Sequence, residues 1–287
     1  MAKTILITGS TDGIGKHLAL KLASEGHEII LHGRNSEKLA TALRDVKSSS
    51  PNSRVSAYLA DFSSMTDVYR FVREIKNHFT QIDILINNAG LHSGAERLAT
   101  AENIEITFML SVMVPYILTK ELQLLLEHSN GGRIINTSSY MHHFAEPQGL
   151  DFGFEKKYSP KLAYDTSKLY TIWLTRYQAR QFHLQGSKTT INAYHPGLIA
   201  TNLVKGSKGD KKTKDSETSK LLSKAKGLDE GIKTGYFLAL SPEVSDLSGA
   251  YFDDMKLAPV SEKGFSFEKA KQLIDYCDQK IAMFNSN

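Results

Sequence analysis

A chain of 287 residues, 41% hydrophobic and 23% charged, can bury a full core and has the makeup of a folded domain, not of a disordered or fibrous chain. The net charge of +4 is modest and dispersed outside one lysine-rich stretch, which argues against nucleic-acid binding. A single cysteine, Cys277, excludes an internal disulfide framework and a cysteine-based metal cluster, and it suits the cytoplasm. The first residues show no export-signal pattern, and no apolar run approaches the roughly 20 residues that a bilayer demands. A cytoplasmic protein without a membrane span is expected.

Residues 4–8 (TILIT) are a short apolar run, followed at once by Gly9, Ser10, Thr11, Asp12, Gly13, Ile14 and Gly15, then by a helical pattern through Leu18, Leu22 and Ala23. Strand, glycine-rich turn and helix in this order form the setting of a dinucleotide site. Gly9 suits a tight turn, Gly13 a close approach of backbone to pyrophosphate, and Gly15 close packing of helix on strand. The helix N-terminus would turn its N–H groups and dipole towards the phosphates.

A second strand at 28–32 (EIILH) ends in Gly33, Arg34 and Asn35. An acidic residue here would bind ribose hydroxyls and favour NAD, but the position holds Gly33. Arg34 follows, and its planar fork suits a 2′-phosphate, so NADP(H) is the expected cofactor; the alternative is a surface arginine at a strand end. Residues 54–60 (RVSAYLA) alternate as a third strand and run into Asp61 and Phe62. Asp61 is placed either to accept a hydrogen bond from an adenine amino group or to cap the next helix.

Residues 82–86 (IDILI) are apolar enough for a central strand of a parallel sheet and lead into Asn87, Asn88, Ala89 and Gly90. Those amides either tie neighbouring strand ends beside the cofactor's adenosine half or form a simple turn. Further strands fall at 133–137, 189–194 and 250–252; the first ends in Ser138 and Ser139, the second in His195, Pro196 and Gly197.

An apolar-periodic run ending near Phe182 puts Tyr164 and Lys168 one turn apart on one helix face. A phenol with a pKa of about 10 is a poor acid or base near neutrality, and a neighbouring ammonium draws that value down. The same spacing occurs on ordinary amphipathic faces, so its meaning depends on the company it keeps. From 201 to 227 the chain is rich in lysine, serine and glycine; a substrate lid over 199–227 and a merely solvated loop are both open. His92, His142 and His143 are expected to border the pocket as polar lining, with no metal. A closing helix at 265–284 either covers the cleft or packs on another subunit.

Together these pieces resemble the short-chain dehydrogenase/reductase family. The matching motifs are TGSTDGIG at 8–15, Asp61, NNAG at 87–90, Ser139, YDTSK at 164–168 and HPG at 195–197. Within the family, LDF at 150–152, KKYSP at 156–160 and SGAYFDDMKLAP at 248–259 look like the retinol-dehydrogenase-like branch. The resemblance implies an α/β Rossmann-type fold over 1–287, a single domain whose doubly wound parallel sheet has about seven strands and helices on both faces. The cofactor would lie across the carboxyl ends of the strands.

In the roles that this resemblance implies, Tyr164 is the general acid and base. Lys168 lowers its pKa and holds the nicotinamide ribose, Ser139 binds the substrate oxygen, and Ser138 is structural. Cofactor contacts carry over to residues 9–15, Arg34, Asn35, Asp61, Phe62, Asn88, Ala89, Gly90, Pro196, Gly197, Ile199 and Thr201. One departure stands out: Ser111 occupies the place of an asparagine that in the family organises a proton-relay water, and a hydroxyl is shorter and lacks the amide.

The implied activity is NADP(H)-dependent interconversion of a carbonyl compound and its alcohol. A catalytically weak NADP(H)-binding regulator and a C=C reductase related to the protochlorophyllide reductases remain open. The expected partners are a small-molecule carbonyl or alcohol and further copies of the chain in a homodimer or homotetramer.

Overall fold

The computed structural model describes residues 1–91, 94–147, 151–199 and 226–286. One sheet organises them, in the order β3-β2-β1-β4-β5-β6-β7-β8. The strands are β1 Thr4–Ile7, β2 Glu28–Gly33, β3 Val55–Leu59, β4 Ile84–Asn87, β5 Arg133–Thr137, β6 Thr190–Tyr194, β7 Tyr251–Asp253 and β8 Lys256–Leu257. The first seven are parallel, in line with the expected sheet, and β8 adds an antiparallel edge that the sequence pattern did not reveal. Asp254 and Met255 form the two-residue turn before β8, both at positive φ (46° and 63°). That conformation is usually marked by Asn-Gly or Asp-Gly, and neither is present.

Alternate strand residues feed two cores. Leu6, Ile30, Leu85 and Ile134 face one side, together with apolar residues of α3 (Met65–His78), α5 (Val114–Glu121) and α7 (Pro160–Leu184). Ile5, Ile29, Leu31, Ile84 and Ile86 face the other, with α1 (Gly13–Ser24), α2 (Ser36–Ser49) and α8 (Leu228–Leu240). Between them α4 (Ile106–Phe108) runs through a π turn at Met109–Met113 into α5, and α6 is Gln123–Glu127. The chain winds outwards from β1 to β3, then returns to place β4 on the other side of β1. Such a reversal opens a crevice at the carboxyl ends of the two strands, where folds of this kind bind ligands.

The last helix, α9 (Phe267–Asn285), buries Ala270, Leu273, Ile274, Cys277 and Ile281 in the first core, against α7. Tyr116 on α5 donates a hydrogen bond to Asp278 at 2.8 Å, and Tyr69 of α3 stacks on Phe284 with ring centroids 5.5 Å apart. Its apolar side is thus covered by its own chain. Deeper in, Asn87 and Asn136 are register partners on β4 and β5: Asn87 donates to Asn136 at 2.8 Å, and Asn136 donates to Thr175 of α7 at 2.9 Å.

Candidate active site

The glycine loop and the NNAG segment are fastened to each other. Thr8 Oγ1 accepts hydrogen bonds from the backbone N–H groups of Asn88 (2.9 Å) and Ala89 (3.0 Å), while the Asn88 amide donates to the carbonyls of Thr8 (3.0 Å) and Gly9 (3.1 Å). This closeness leaves no room for side chains. A β-carbon on Gly9 would stand 2.8 Å from Ala89 Cα, and one on Gly15 would stand 2.5 Å from both the Asn88 amide nitrogen and the Gly9 oxygen. Asp12 caps α1, accepting from the Gly13 N–H at 2.7 Å.

At the outer end of the crevice Arg34 is exposed just past β2, and Asn35 caps α2 by accepting from Lys38 N–H at 2.9 Å. Of the two openings for Asp61, the cap belongs elsewhere: Ser64 caps α3, whereas Asp61 accepts from the backbone and hydroxyl of Ser63 at 3.0 and 2.8 Å. Phe62 is buried beside it.

At the inner end, Ser159 caps α7 and Pro160 starts it, which explains the Ser-Pro pair and sets the helix that carries Tyr164 and Lys168. The Tyr164 hydroxyl is hydrogen-bonded to the Ser139 side chain, and Ser139 Oγ also accepts from Met141 N–H at 3.2 Å. Lys168 Nζ lies 5.7 Å from the centre of the Tyr164 ring and donates to the Thr137 carbonyl at 3.0 Å. Gly90 comes close from the opposite side: a β-carbon there would be 3.7 Å from that ammonium. Ser138 donates to the Lys168 carbonyl at 2.7 Å, a tie between β5 and α7.

The electrostatics depart from expectation. Burial pushes the Tyr164 phenol above its ordinary value, and the hydrogen bond from Ser139 only moderates the rise. Burial also lowers Lys168 to about 8. The ammonium does not pull the phenol below its usual range: loss of water around a nearly buried phenolate dominates, and the nearby Asp165 carboxylate adds to the rise.

Ser111 sits in the π turn between α4 and α5. The Ser111 backbone carbonyl accepts from the Thr171 hydroxyl at 2.9 Å, a hydroxyl that also faces the Ser167 carbonyl at 2.9 Å, and Thr171 lies three residues beyond Lys168 on α7. The Ser111 hydroxyl is buried without a polar partner among the described residues.

Towards β6, the Gly197 N–H donates to His195 Nδ1 at 3.0 Å, and Ile199 is buried in a bridge to Lys226. Thr201, His92, Leu150 and residues 200–225 of the expected lid lie outside the described residues. His142 does not border a pocket: it is fully buried, donates to the Ser139 carbonyl at 2.6 Å and packs 4.8 Å from the Tyr251 ring. His143 is half-buried beside it, with ring centroids 4.0 Å apart. Tyr140 and Phe144 are the exposed aromatics next to Ser139, at 55% and 51%. Beyond Thr8's place in the motif at 8–15, the sequence carries no signal for the roles of Thr8 and Thr137. Thr8 is an ordinary strand-end threonine there, and Thr137 acts through a carbonyl that any residue carries.

Residues 3–212 match the family model described as short chain dehydrogenase. Retinol dehydrogenase 13 of Homo sapiens is 34% identical over 276 residues, covering 94% of this chain and 82% of that protein. Short-chain dehydrogenase TIC 32 A, chloroplastic, of Brassica napus is 30% identical over 281 residues, with 95% and 87% covered. Among solved structures, L-sorbose reductase of Gluconobacter frateurii, complexed with NADPH and L-sorbose, has a TM-score of 0.70 at 25% identity, covering 88% of this chain and 94% of that one. A short chain dehydrogenase of Burkholderia cenocepacia in complex with NADP has the same fold, with a TM-score of 0.68 at 24% identity and 87% and 95% coverage.

Proposed function

Because the chain belongs to the short chain dehydrogenase family, we propose that it is an NADP(H)-dependent oxidoreductase that interconverts a carbonyl compound and its alcohol. The observation that carries this reading is the Ser139–Tyr164 hydrogen bond beside the buried Lys168, at the same sheet edge as the glycine loop. The crevice suits a nicotinamide dinucleotide in what lines it: the glycine loop and the N-terminus of α1 for the phosphates at one end, and the buried Lys168 beside Tyr164 and Ser139 for the ring at the other. The glycine loop, Asp61, Phe62, Asn88, Ala89 and Gly90 would hold it, with Lys168, Pro196, Gly197, Ile199 and Thr201 towards the ring. Exposed Arg34 and Asn35 would meet a 2′-phosphate, and the NADPH of the L-sorbose reductase favours the same choice.

When bound, the nicotinamide supplies or accepts the hydride. Ser139 donates a hydrogen bond to the substrate oxygen. Tyr164, protonated at neutral pH because its pKa is raised, gives its proton to that oxygen during reduction and removes one during oxidation. The Lys168 ammonium, charged below about 8, stabilises the phenolate that reduction leaves behind.

The test is a fluorescence titration with NADPH and NADH separately, followed on the same sample by NADPH oxidation against aldehydes, ketones and diketones. Turnover with preference for NADPH is expected. Tight NADPH binding with no turnover on any carbonyl would instead favour a sensor that binds without catalysis, a reading that rests on the unpartnered Ser111 hydroxyl. Ser111→Asn then decides: a large rise in rate marks a damaged relay in an enzyme, and a rate that stays at nil marks the sensor.

A further inference from the structure

One polar side chain stands in the middle of the cofactor half of the fold without a part in the roles above. His32 lies on β2, only 3% exposed, on the face whose other inward residues are apolar. Its ring is stacked on Phe62, with centroids 3.7 Å apart and planes 12° from parallel, and Phe71 meets it edge-on at 5.2 Å. Both ring nitrogens are engaged. Nδ1 lies 3.1 Å from the backbone nitrogen of Gly9, and Nε2 lies 3.0 Å from the carbonyl of Ala60.

Those partners leave one protonation state. A backbone N–H only donates, so Nδ1 must be the bare acceptor; a carbonyl only accepts, so Nε2 must carry the proton. A second proton on Nδ1 would face the Gly9 N–H and break the contact. The backbone of His32 reinforces the link, since its N–H donates to Ser10 Oγ at 3.0 Å and its carbonyl accepts from Ser10 N–H at 2.9 Å. The ends of β1, β2 and β3 therefore meet on this residue.

We infer that His32 is a positioning residue for the dinucleotide: its neutral imidazole ties Gly9 of the phosphate-side loop to the Ala60–Phe62 turn on the adenine side, fixing the distance between the two before the ligand arrives. The inference rests on the dinucleotide reading above. Without the tie the Gly9 amide is free to turn, and the ligand must order both segments as it binds. His32 touches neither substrate nor reacting atoms, so its effect falls on cofactor affinity and not on the chemical step.

Two variants separate the tie from simple packing. His32→Leu fills the space and removes both ring bonds; His32→Asn keeps an acceptor, Oδ1, where Nδ1 was. NADPH affinity by fluorescence, cofactor KM, kcat and thermal unfolding are measured for all three proteins. The expected result for His32→Leu is NADPH binding weakened by about tenfold, the scale of one net hydrogen bond, with KM raised far more than kcat is lowered. His32→Asn should recover most of the affinity. NADPH bound equally well by His32→Leu and wild type would overturn the inference, as would His32→Asn as weak as His32→Leu. Should His32→Leu fail to fold, nitrogen NMR of the wild-type imidazole decides, because a proton on Nδ1 at neutral pH is incompatible with the tie. Wild-type protein that binds neither NADPH nor NADH would sink the dinucleotide reading itself; wild-type binding that is indifferent to His32 sinks only the positioning role.

Discussion

A β-carbon built on Gly33 would stand 2.2 Å from the methyl carbon of Thr11, so the glycine loop and the end of β2 close on each other with room for no more than a hydrogen. An acidic side chain of the kind that recognises ribose hydroxyls begins with a β-carbon, and at this position it would require Thr11 to move. Steric closure thus acts in the same direction as the charge of Arg34. Arg34→Ala is expected to weaken NADPH binding by about ten- to hundredfold, the value of one charge-assisted hydrogen bond, and to leave NADH binding nearly unchanged. Equal loss for both cofactors in a fluorescence titration would refute the assignment.

Removing the phenol should separate binding from chemistry. Tyr164→Phe is expected to lower kcat by about a hundredfold or more, the usual range for a general acid, while NADPH affinity stays within a few-fold. Comparable losses in kcat and affinity would place Tyr164 in binding instead.

The depressed Lys168 value gives the reaction a pH signature. In the folded protein the ammonium is held below about 8 and lost above it, compared with 10.5 for an ordinary lysine. Carbonyl reduction should therefore decline as pH rises through about 8. In Lys168→Arg, whose guanidinium stays charged past about 12, the remaining activity should not show that decline. Stopped-flow rates at saturating NADPH between pH 6 and 10 test this, and an unchanged alkaline limb in the variant contradicts it.

Stability should respond to acid through the buried imidazoles. Burial holds His32 at about 4 in the folded chain against 6.5 when exposed, and His142 is lowered in the same way. The unfolded chain takes up these protons first, so the contribution is complete above about 6.5 and is lost as pH falls to about 4. For His32 the loss is on the order of 3 kcal/mol, from the size of the shift. Urea unfolding at several pH values should show the slope in wild type and a shallower one in His32→Asn; identical slopes would mean that His32 carries no such linkage.

The closing helix is part of the core. Leu273 on α9 is fully buried, so Leu273→Ala is expected to cost about 2–5 kcal/mol in urea unfolding, the range for a large-to-small change in a packed interior. A cost below about 0.5 kcal/mol, typical of surface positions, would mean that α9 does not dock as described.

Most of the fold was legible because β/α alternation leaves a double record: apolar runs for strands buried on both faces, and helical periodicity between them. The seven parallel strands were read to within one or two residues at most ends. The eighth was not, since a two-residue strand after an Asp-Met turn carries neither length nor turn signal. In the site, Tyr164, Lys168 and Ser139 were found by spacing and resemblance, and the structure brings Tyr164 to Ser139 and Lys168 to Thr137. The sign of the tyrosine shift is opposite to the one the sequence suggests, because a neighbouring charge is visible in sequence and burial is not. His32 is silent in the sequence for a similar reason: in EIILH it reads as the polar end of a strand, and only the packed fold shows Phe62 stacked on it and Gly9 beside it.

The Asn87–Asn136 pair has a consequence for how the chain finds its sheet. Strands such as Ile84–Asn87 and Arg133–Thr137 are nearly self-similar, and a slip of two residues returns every apolar side chain to its proper face. Hydrophobic burial alone is therefore almost blind to that error. The amides are not, because in a slipped pairing Asn87 and Asn136 lose one another, and each buried polar group left alone costs about 1–3 kcal/mol. The two asparagines work as a vernier on the central strands, penalising a misalignment that greasy neighbours would tolerate, and so hold the carboxyl edge level where Asn88 and Ser138 begin.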